Sequence, residues 1–158
     1  MPSIPWRRTA AVDPDTKYLL MASHLPLRSI GKVPWFLGLT ASVVRQLERT
    51  DGLVGYSLRA QPFARSFWTL SAWTDSAALT AFVREMPHQG VMVKLRPHMG
   101  PTRFTTWTAA GSALPVPWEV AIGHLDSPSA RDRATPPHPH PHLSTDHEPA
   151  QPDKEQTS

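Results

Sequence analysis

The aromatic residues are confined to one part of this chain, because all 13 of them lie at or before Trp118 in a sequence of 158 residues. Residues 124–158 contain seven prolines and five of the eight histidines, but no Phe, Trp or Tyr. A segment with so little apolar surface cannot offset the conformational entropy that it would lose on folding. We therefore predict a folded domain over residues 17–123, an N-terminal extension over residues 1–16 and a disordered, proline- and histidine-rich tail over residues 124–158.

The positive charge of the chain is concentrated in the predicted domain. Residues 17–123 contain eleven basic and five acidic residues, a net charge of +6, whereas the tail carries −3 and the whole chain +3. The basic residues are scattered and accompany no nucleic-acid-binding motif, so we predict no nucleic-acid partner.

Several classes of protein are excluded by what the sequence lacks. It contains no cysteine, which removes disulfides, thiolate catalysis and zinc sites that need sulfur. No apolar run approaches the roughly 20 residues of a membrane span, and the N-terminus lacks the apolar stretch of a signal peptide, so we expect a cytoplasmic protein without a membrane span. Nucleophile, phosphate-loop and dinucleotide-binding motifs are absent too.

The hydrophobic pattern predicts four strands and two helices. The first helix covers residues 33–50, and the second follows Asp75 and ends near Pro87, with a short helical extension over residues 91–95. The buried face of the second helix is predicted to comprise Leu79, Phe82, Val83 and Met86. The strands are residues 18–25, 53–59, 67–74 and 102–108. The order βαββαβ predicts an α+β, ferredoxin-like fold, in which a four-stranded antiparallel sheet carries two helices on one face.

Three residues are typical of helix ends. Pro34 suits the first turn of the first helix, where no internal hydrogen-bond donor is needed. Gly52, after Asp51, supplies the left-handed residue that ends this helix, and Asp75 is a favourable cap for the second helix. The boundaries of both helices are therefore marked by local chemistry as well as by periodicity.

The third strand carries large aromatic residues on both of its faces. Because side chains alternate along a strand, Trp68 and Trp73 point to opposite sides and cannot both line one pocket. One face meets the helices, and the other face also needs cover, which the sheet of a second copy would supply. We therefore predict a homodimer through the sheet faces. Residues 114–125 are apolar enough to pack on the domain or on its dimer mate.

Three segments carry a resemblance to a known superfamily. They are Phe67-Trp68-Thr69-Leu70-Ser71-Ala72-Trp73-Thr74-Asp75, then a helix with Ala78, Leu79 and Phe82 followed by His88, and Thr102-Arg103-Phe104-Thr105-Thr106-Trp107. In these segments the chain resembles the dimeric α/β-barrel superfamily, and within it the antibiotic-biosynthesis-monooxygenase-like proteins and an uncharacterised branch similar to spheroidene monooxygenase. The resemblance implies an oxidoreductase with a pocket for a hydrophobic or planar aromatic small molecule, and either no cofactor or haem.

The resemblance also implies roles for particular residues. His88 would be a catalytic base or a haem ligand, and Trp68 would stack on the substrate. Independently of the resemblance, the planar guanidinium groups of Arg59, Arg65 and Arg103 suit a carboxylate or a haem propionate, and Arg65 is the predicted cofactor contact. The substrate pocket would be lined by Phe36, Trp68, Trp73, Phe82 and Trp107. Quinone-forming and haem-degrading members usually place an asparagine in the strand region, and this chain contains none, so another residue would have to replace it.

Each candidate residue also has a structural interpretation. His88 would cap the second helix, a buried tryptophan would simply pack, and arginines at strand ends such as Arg59 and Arg103 would be solvated. His24 would be a satisfied histidine at a strand edge, His98 a solvated loop residue, and Trp35 part of the pocket mouth. The tail histidines His138, His140 and His142 would bind metal only weakly, so no metal site is predicted.

Two other functions remain open on the sequence alone. The first is a non-catalytic ligand-binding or stress-associated dimer, since the domain has no paired acid and base residues. The second is a protein-interaction module that uses the proline-rich tail.

Overall fold

An antiparallel sheet of six strands forms the centre of the computed structural model, which describes residues 3–86, 88–128 and 130–132. The strands are β1 (Ser3–Arg8), β2 (Lys17–Pro26), β3 (Leu53–Gln61), β4 (Ser66–Trp73), β5 (Arg103–Ala110) and β6 (Arg131–Asp132). Their order across the sheet is β1-β3-β4-β2-β5-β6. The helices are α1 (Val33–Leu47), α2 (Ser76–Arg84), α3 (His88–Leu95) and α4 (Trp118–Leu125).

The four predicted strands are the four central strands of this sheet. Their order β3-β4-β2-β5, with α1 between β2 and β3 and the pair α2 and α3 between β4 and β5, is the ferredoxin-like arrangement. The prediction of an α+β, antiparallel fold is therefore confirmed. The sheet is wider than predicted because β1 pairs with β3 at one edge and the two-residue β6 pairs with β5 at the other.

The first 16 residues, which the sequence analysis left outside the domain, contribute this edge strand β1. The ladder between β1 and β3 shifts register between Ile4 and Arg7, and Trp6 lies in this irregular stretch. The indole of Trp6 lies directly against Gly55, where an added Cβ atom would overlap the ring. Gly55 therefore permits Trp6 to cover β3, a long-range contact that local sequence patterns do not reveal.

The predicted helix ends are present. Pro34 lies in the first turn of α1, and Gly52 adopts φ +85° and accepts a 2.8 Å hydrogen bond from the Thr74 amide through its carbonyl oxygen. The Asp75 carboxylate caps α2 by accepting a 2.8 Å bond from the Ala78 amide. Met86 lies beyond the end of α2 and is 69% exposed, so its predicted place on the buried face is wrong. None of the helices in the described residues is long and apolar enough to cross a bilayer.

One face of the sheet, called the helix face below, packs against α1, α2 and α3. Strand β4 sends Phe67, Thr69, Ser71 and Trp73 to this face. Phe67 is buried with Phe36 of α1 and Leu95 of α3, and Trp73 is buried with Phe82 of α2. The apolar stripes of three helices therefore meet one side of a single strand, as the amphipathic pattern predicts.

The opposite face, called the α4 face below, is partly covered by the chain's own C-terminal helix. Ala121 and Leu125 of α4 are 0% and 2% exposed and pack with Leu20, Ala22 and Leu70 of the sheet. The sequence analysis assumed that a second copy was needed to cover this face. Part of that cover is intramolecular, because α4 lies on β2 and β5.

The predicted boundary between domain and tail at residue 123 falls inside α4. This helix continues to Leu125, and Phe104 of β5 pairs with Arg131 of β6. Composition placed the boundary too early because the last buried residues in the described part of the chain, Ala121 and Leu125, are aliphatic rather than aromatic. The predicted disorder of the tail beyond residue 132, including His138, His140 and His142, lies outside the described residues.

The cover supplied by α4 leads to a stability prediction. We expect Leu125→Ala to lower the free energy of unfolding by about 2–5 kcal/mol, because the side chain is buried and its loss leaves a cavity. Urea unfolding followed by tryptophan fluorescence measures the effect. Val120→Ala, in the same helix but 45% exposed, is the control and should change stability by about 0.5 kcal/mol or less. Equal effects of the two variants would show that α4 does not pack on the sheet.

Candidate functional site

A cavity of about 510 Å³ lies between the helix face of the sheet and helices α1, α2 and α3. Most of its lining consists of aliphatic and aromatic side chains, which suits an apolar ligand. Five of the predicted site residues line it: Phe36, Trp68, Trp73, Phe82 and His88. The structure therefore brings together side chains from one strand and three helices at a single site.

The walls of this cavity are formed by two pairs of aromatic rings. The ring of Phe36 lies 4.3 Å from that of Phe67, and the ring of Trp73 lies 5.3 Å from that of Phe82, measured between centroids. Both pairs are tilted, an arrangement that aromatic rings favour over face-to-face stacking. These rings offer flat apolar surface to a ligand that enters between the sheet and the helices.

His88 is the first residue of α3 and is held on two sides. Its Nδ1 atom lies 3.1 Å from the carbonyl oxygen of Val83, and its ring centroid lies 4.9 Å from that of Phe82. A carbonyl oxygen can only accept a hydrogen bond, so Nδ1 carries the hydrogen in this contact. In the neutral ring the basic lone pair is then on Nε2, which is the nitrogen that can take up a proton or ligate a metal.

Gln46 of α1 fixes the position of His88. Its Oε1 atom accepts a 2.9 Å hydrogen bond from the His88 amide, and its Nε2 atom donates a 3.2 Å bond to the Phe82 carbonyl oxygen. One side chain thus joins the end of α2 to the start of α3. The sequence analysis missed Gln46, and no local signal could have found it because its partners lie 36 and 42 residues away.

Three hydroxyl groups interrupt the apolar lining on the floor of the cavity. Ser23 of β2 and Thr69 of β4 are paired across the two strands and hydrogen-bonded to each other. Ser71 Oγ accepts a 2.8 Å bond from the indole Nε1 of Trp73. We call Ser23, Thr69 and Ser71 the hydroxyl row. Strand alternation placed Thr69 and Ser71 on the face of Trp73, so this signal was present in the sequence.

Tyr56 contributes a buried ring to the same cavity. Its hydroxyl group donates a 2.8 Å hydrogen bond to Glu48 Oε1. Burial raises the pKa of Tyr56, and the bond to Glu48 acts in the same direction. Tyr56 therefore remains a neutral phenol near pH 7, with its hydrogen committed to Glu48 rather than to a ligand.

Trp68 and Trp107 have their rings on the other side of the sheet. Trp68 borders the cavity, but its indole stacks on His24 at 5.0 Å, and Trp107 stacks on His124 of α4 at 4.1 Å. Trp107 is not among the residues that line the cavity. Strand alternation is the cause, since Trp68 pairs with His24 and Trp107 with Leu20 on the α4 face. Trp107 therefore does not line the cavity that contains His88, and the ring of Trp68 points to the α4 face although the residue borders that cavity.

Arg65 also lies away from the cavity. It occupies a turn with φ +56°, and its Nη1 atom donates a 2.8 Å bond to the Arg28 carbonyl oxygen. Arg59 and Arg103 border the cavity, and Arg103 Nη1 lies 3.8 Å from Asp126 Oδ1 on the α4 face. The predicted contact between Arg65 and a cofactor is not supported by this placement.

Two further candidates lie outside the cavity lining. The ring of Trp35 packs edge-on against His98 at 5.2 Å, and Lys32 Nζ lies 5.3 Å from the Trp35 ring. His88 is the only imidazole that lines the cavity in the described part of the chain. Within that part, no group of three or more His, Asp or Glu side chains is arranged to hold a metal ion.

Comparison with known proteins identifies the fold. No protein-family model and no curated protein matches the sequence. Among solved structures, SnoaB, a cofactor-independent oxygenase from Streptomyces nogalater, matches with a TM-score of 0.52 at 18% identity, over 63% of this chain and 99% of its own. An antibiotic biosynthesis monooxygenase matches with a TM-score of 0.53 at 15% identity, over 58% and 98%.

A conserved protein from Methanosarcina mazei Go1 also matches, with a TM-score of 0.52 at 15% identity, over 57% of this chain and 90% of its own. At these identities the likeness establishes a common fold and leaves the activity open. The resemblance to antibiotic-biosynthesis-monooxygenase-like proteins of ferredoxin-like fold is thereby confirmed.

The α4 face contains a histidine whose proton affinity changes on folding. Burial lowers the pKa of His24 below its ordinary value of 6.5, and the nearby Arg103 charge adds to this effect while Asp126 opposes it. The folded chain thus binds this proton more weakly than the unfolded chain. As the pH falls below 6.5, unfolding takes up a proton, and the contribution of His24 to stability is progressively lost.

We therefore expect His24→Phe, which keeps a ring against Trp68 but cannot titrate, to retain more of its stability than the natural chain as the pH falls from 7.5 to 5. Urea midpoints of both proteins at a series of pH values provide the measurement, and His98→Phe serves as the control. Parallel pH profiles for the natural chain and His24→Phe would contradict the prediction.

Proposed function

We propose that this protein is a monooxygenase-like enzyme that acts on a hydrophobic or planar aromatic small molecule bound between the sheet and helices α1, α2 and α3. The observation that carries the proposal is the aromatic-walled cavity with one imidazole in its lining, in a fold that is also found in a cofactor-independent oxygenase. Burial of an apolar ligand in such a cavity supplies binding energy without any charged contact.

In this proposal His88 is the catalytic base. Its Nε2 atom accepts the proton of a hydroxyl group on an aromatic ring, while Val83 and Gln46 hold the imidazole in place. Ionisation makes the ring a better electron donor toward O₂. The carbon opposite the hydroxyl loses its hydrogen and gains one oxygen atom, and the second oxygen leaves as water with the two hydrogens. The substrate supplies all four electrons, so phenol plus O₂ gives quinone plus water and no external reductant is needed.

The first test is oxygen consumption by the purified protein with 1-naphthol, 1,5-dihydroxynaphthalene and anthrone. We expect uptake of O₂ with quinone formation, and a loss of about 10²- to 10⁴-fold in His88→Ala because a general base contributes that much. His98→Ala, which alters a histidine outside the cavity, is the matched control. Turnover that persists in His88→Ala would remove this residue as the base.

The alternative function is a non-catalytic ligand-binding protein with the same fold. It is favoured by the lining of the cavity, in which the described residues include no Asp or Glu. This alternative predicts that the same naphthols quench the tryptophan fluorescence in a saturable way while oxygen uptake stays at the rate of buffer.

A haem-binding version of the proposal rests on His88. An imidazole whose Nδ1–H is bound by a backbone carbonyl is oriented as metal-ligating histidines usually are, so His88 is the residue that would hold the iron of a haem. A bound haem would supply an iron centre able to bind oxygen. Arg65 does not fit the propionate contact, because it lies outside the cavity and bonds to Arg28.

Titration with haemin tests this version. Ligation by His88 predicts a shifted and sharpened Soret band at a stoichiometry of one haemin per chain, lost in His88→Ala and retained in His98→Ala. An identical spectrum in His88→Ala would mean that haemin binds elsewhere or non-specifically.

We also propose a homodimer through the part of the α4 face that α4 leaves uncovered. Trp68, His24 and Arg59 are partly exposed, and the rings of Trp68 and His24 stack on each other there. In this arrangement the ring of Trp68 contributes to association rather than to substrate stacking.

A further inference from the structure

The hydroxyl row places three hydroxyl groups in the floor of a largely apolar cavity. Ser71 lies on β4 between Met21 of β2 and Tyr56 of β3, and it is partly accessible rather than packed away. A serine at this position contributes less to apolar packing than the aliphatic residues around it. Its hydroxyl group therefore needs an explanation in terms of what it binds.

The hydroxyl group of Ser71 can still donate a hydrogen bond to a ligand. An indole N–H can only donate, so Ser71 Oγ is the acceptor in its bond to Trp73 Nε1. The hydroxyl hydrogen of Ser71 takes no part in that bond. Because Ser71 shares the helix face with the cavity, an oxygen atom of a bound molecule can accept this hydrogen.

Ser71 is linked to His88 by a chain of three side-chain contacts. Its oxygen contacts the indole of Trp73, the Trp73 ring lies against Phe82, and the Phe82 ring lies against His88. A planar molecule packed on these rings would present one edge to Ser71. Its position relative to the imidazole would then be set by a directional bond as well as by apolar contact.

We propose that Ser71 is a specificity-determining residue that donates a hydrogen bond to a carbonyl or phenolic oxygen of a planar aromatic ligand, with Trp73 Nε1 holding the serine oxygen in place. The inference rests on the proposed function in one respect, since it assumes that the cavity takes an aromatic molecule. It goes further by naming the class: aromatic compounds with an oxygen at the ring edge, rather than hydrocarbons.

The test compares fluorenone with fluorene, two flat tricyclic molecules that differ by one carbonyl oxygen. Dissociation constants are measured by quenching of tryptophan fluorescence. The natural chain should bind fluorenone about two- to tenfold more tightly than fluorene, the usual net value of one hydrogen bond. Ser71→Ala should bind both molecules equally, and Ser71→Thr, which keeps a hydroxyl group, should restore the preference.

A matched control is Ser57→Ala, which removes a buried strand hydroxyl that donates to the Ile4 carbonyl oxygen and does not line the cavity. It should leave the ratio of the two dissociation constants unchanged. The ratio separates a lost hydrogen bond from a general disturbance, because displacement of Trp73 would weaken the binding of fluorene as well. A fluorenone preference that survives in Ser71→Ala would overturn the inference.

Infrared spectroscopy of bound fluorenone provides a second test of the hydrogen bond from Ser71. A hydrogen bond lowers the carbonyl stretching frequency, so the infrared band of bound fluorenone should lie at lower wavenumber in the natural chain than in Ser71→Ala. Equal frequencies would overturn the inference even if affinities differed. If neither molecule binds, both this inference and the ligand class of the proposed function fail, whereas selective binding without oxygen uptake leaves the inference standing and removes only the enzymatic activity.

Discussion

The alternation of side chains along β4 is the constraint on which both halves of this molecule depend. This strand lies in the middle of the sheet between β3 and β2, and its side chains contribute to apolar clusters on both faces. Phe67 and Trp73 point to the helices and form the cavity walls, whereas Leu70 and Ala72 point to α4 and form a separate core. A shift of one residue in register would exchange the two sets and destroy the cavity and the α4 contact together.

The cover on the α4 face explains how a sheet with two apolar sides can exist in a single chain. The most apolar part of this face, around Leu20 and Ala22, lies under α4, and Trp6 covers β3 from the other edge. What is left partly exposed is aromatic but carries polar atoms, as in the stack of His24 on Trp68. A second copy would therefore contact a surface that is partly apolar and partly polar. The apolar surface buried in that contact would add to the core that α4 and Trp6 already cover within one chain.

The order of elements could be read from the sequence because each signal was local. Pro34, Gly52 and Asp75 act on their own neighbours, and the periods of the strands and helices need only a few consecutive residues. The strand β1 and the extent of α4 were not predicted, since β1 gains its structure from pairing with β3 and α4 from packing on β2. Composition counts apolar residues in a segment but does not show which distant surface will cover them.

The candidate site was predictable to the same extent. Alternation alone separated Trp68 from Trp73, and periodicity put Phe82 on a buried face. Ser71 was not among the predicted site residues, because a serine in a strand gives no functional signal of its own. The hydrogen bond from the His88 amide to Gln46 depends on the packing of α1 against α3, so it could not be inferred from either segment alone.

The hydrogen bond between His88 and Gln46 makes the position of the imidazole depend on how the helices above the cavity pack. The position of His88 is fixed by the helices. Its amide donates a hydrogen bond to Gln46 of α1, and its ring donates one to the Val83 carbonyl oxygen near the end of α2. The floor of the cavity, in contrast, belongs to the sheet and is fixed by the ladder of β2 and β4. A ligand in the cavity lies between them, with the imidazole on the helix side and the hydroxyl row on the sheet side. The geometry between His88 and Ser71 is therefore set by how α1, α2 and α3 pack on the sheet.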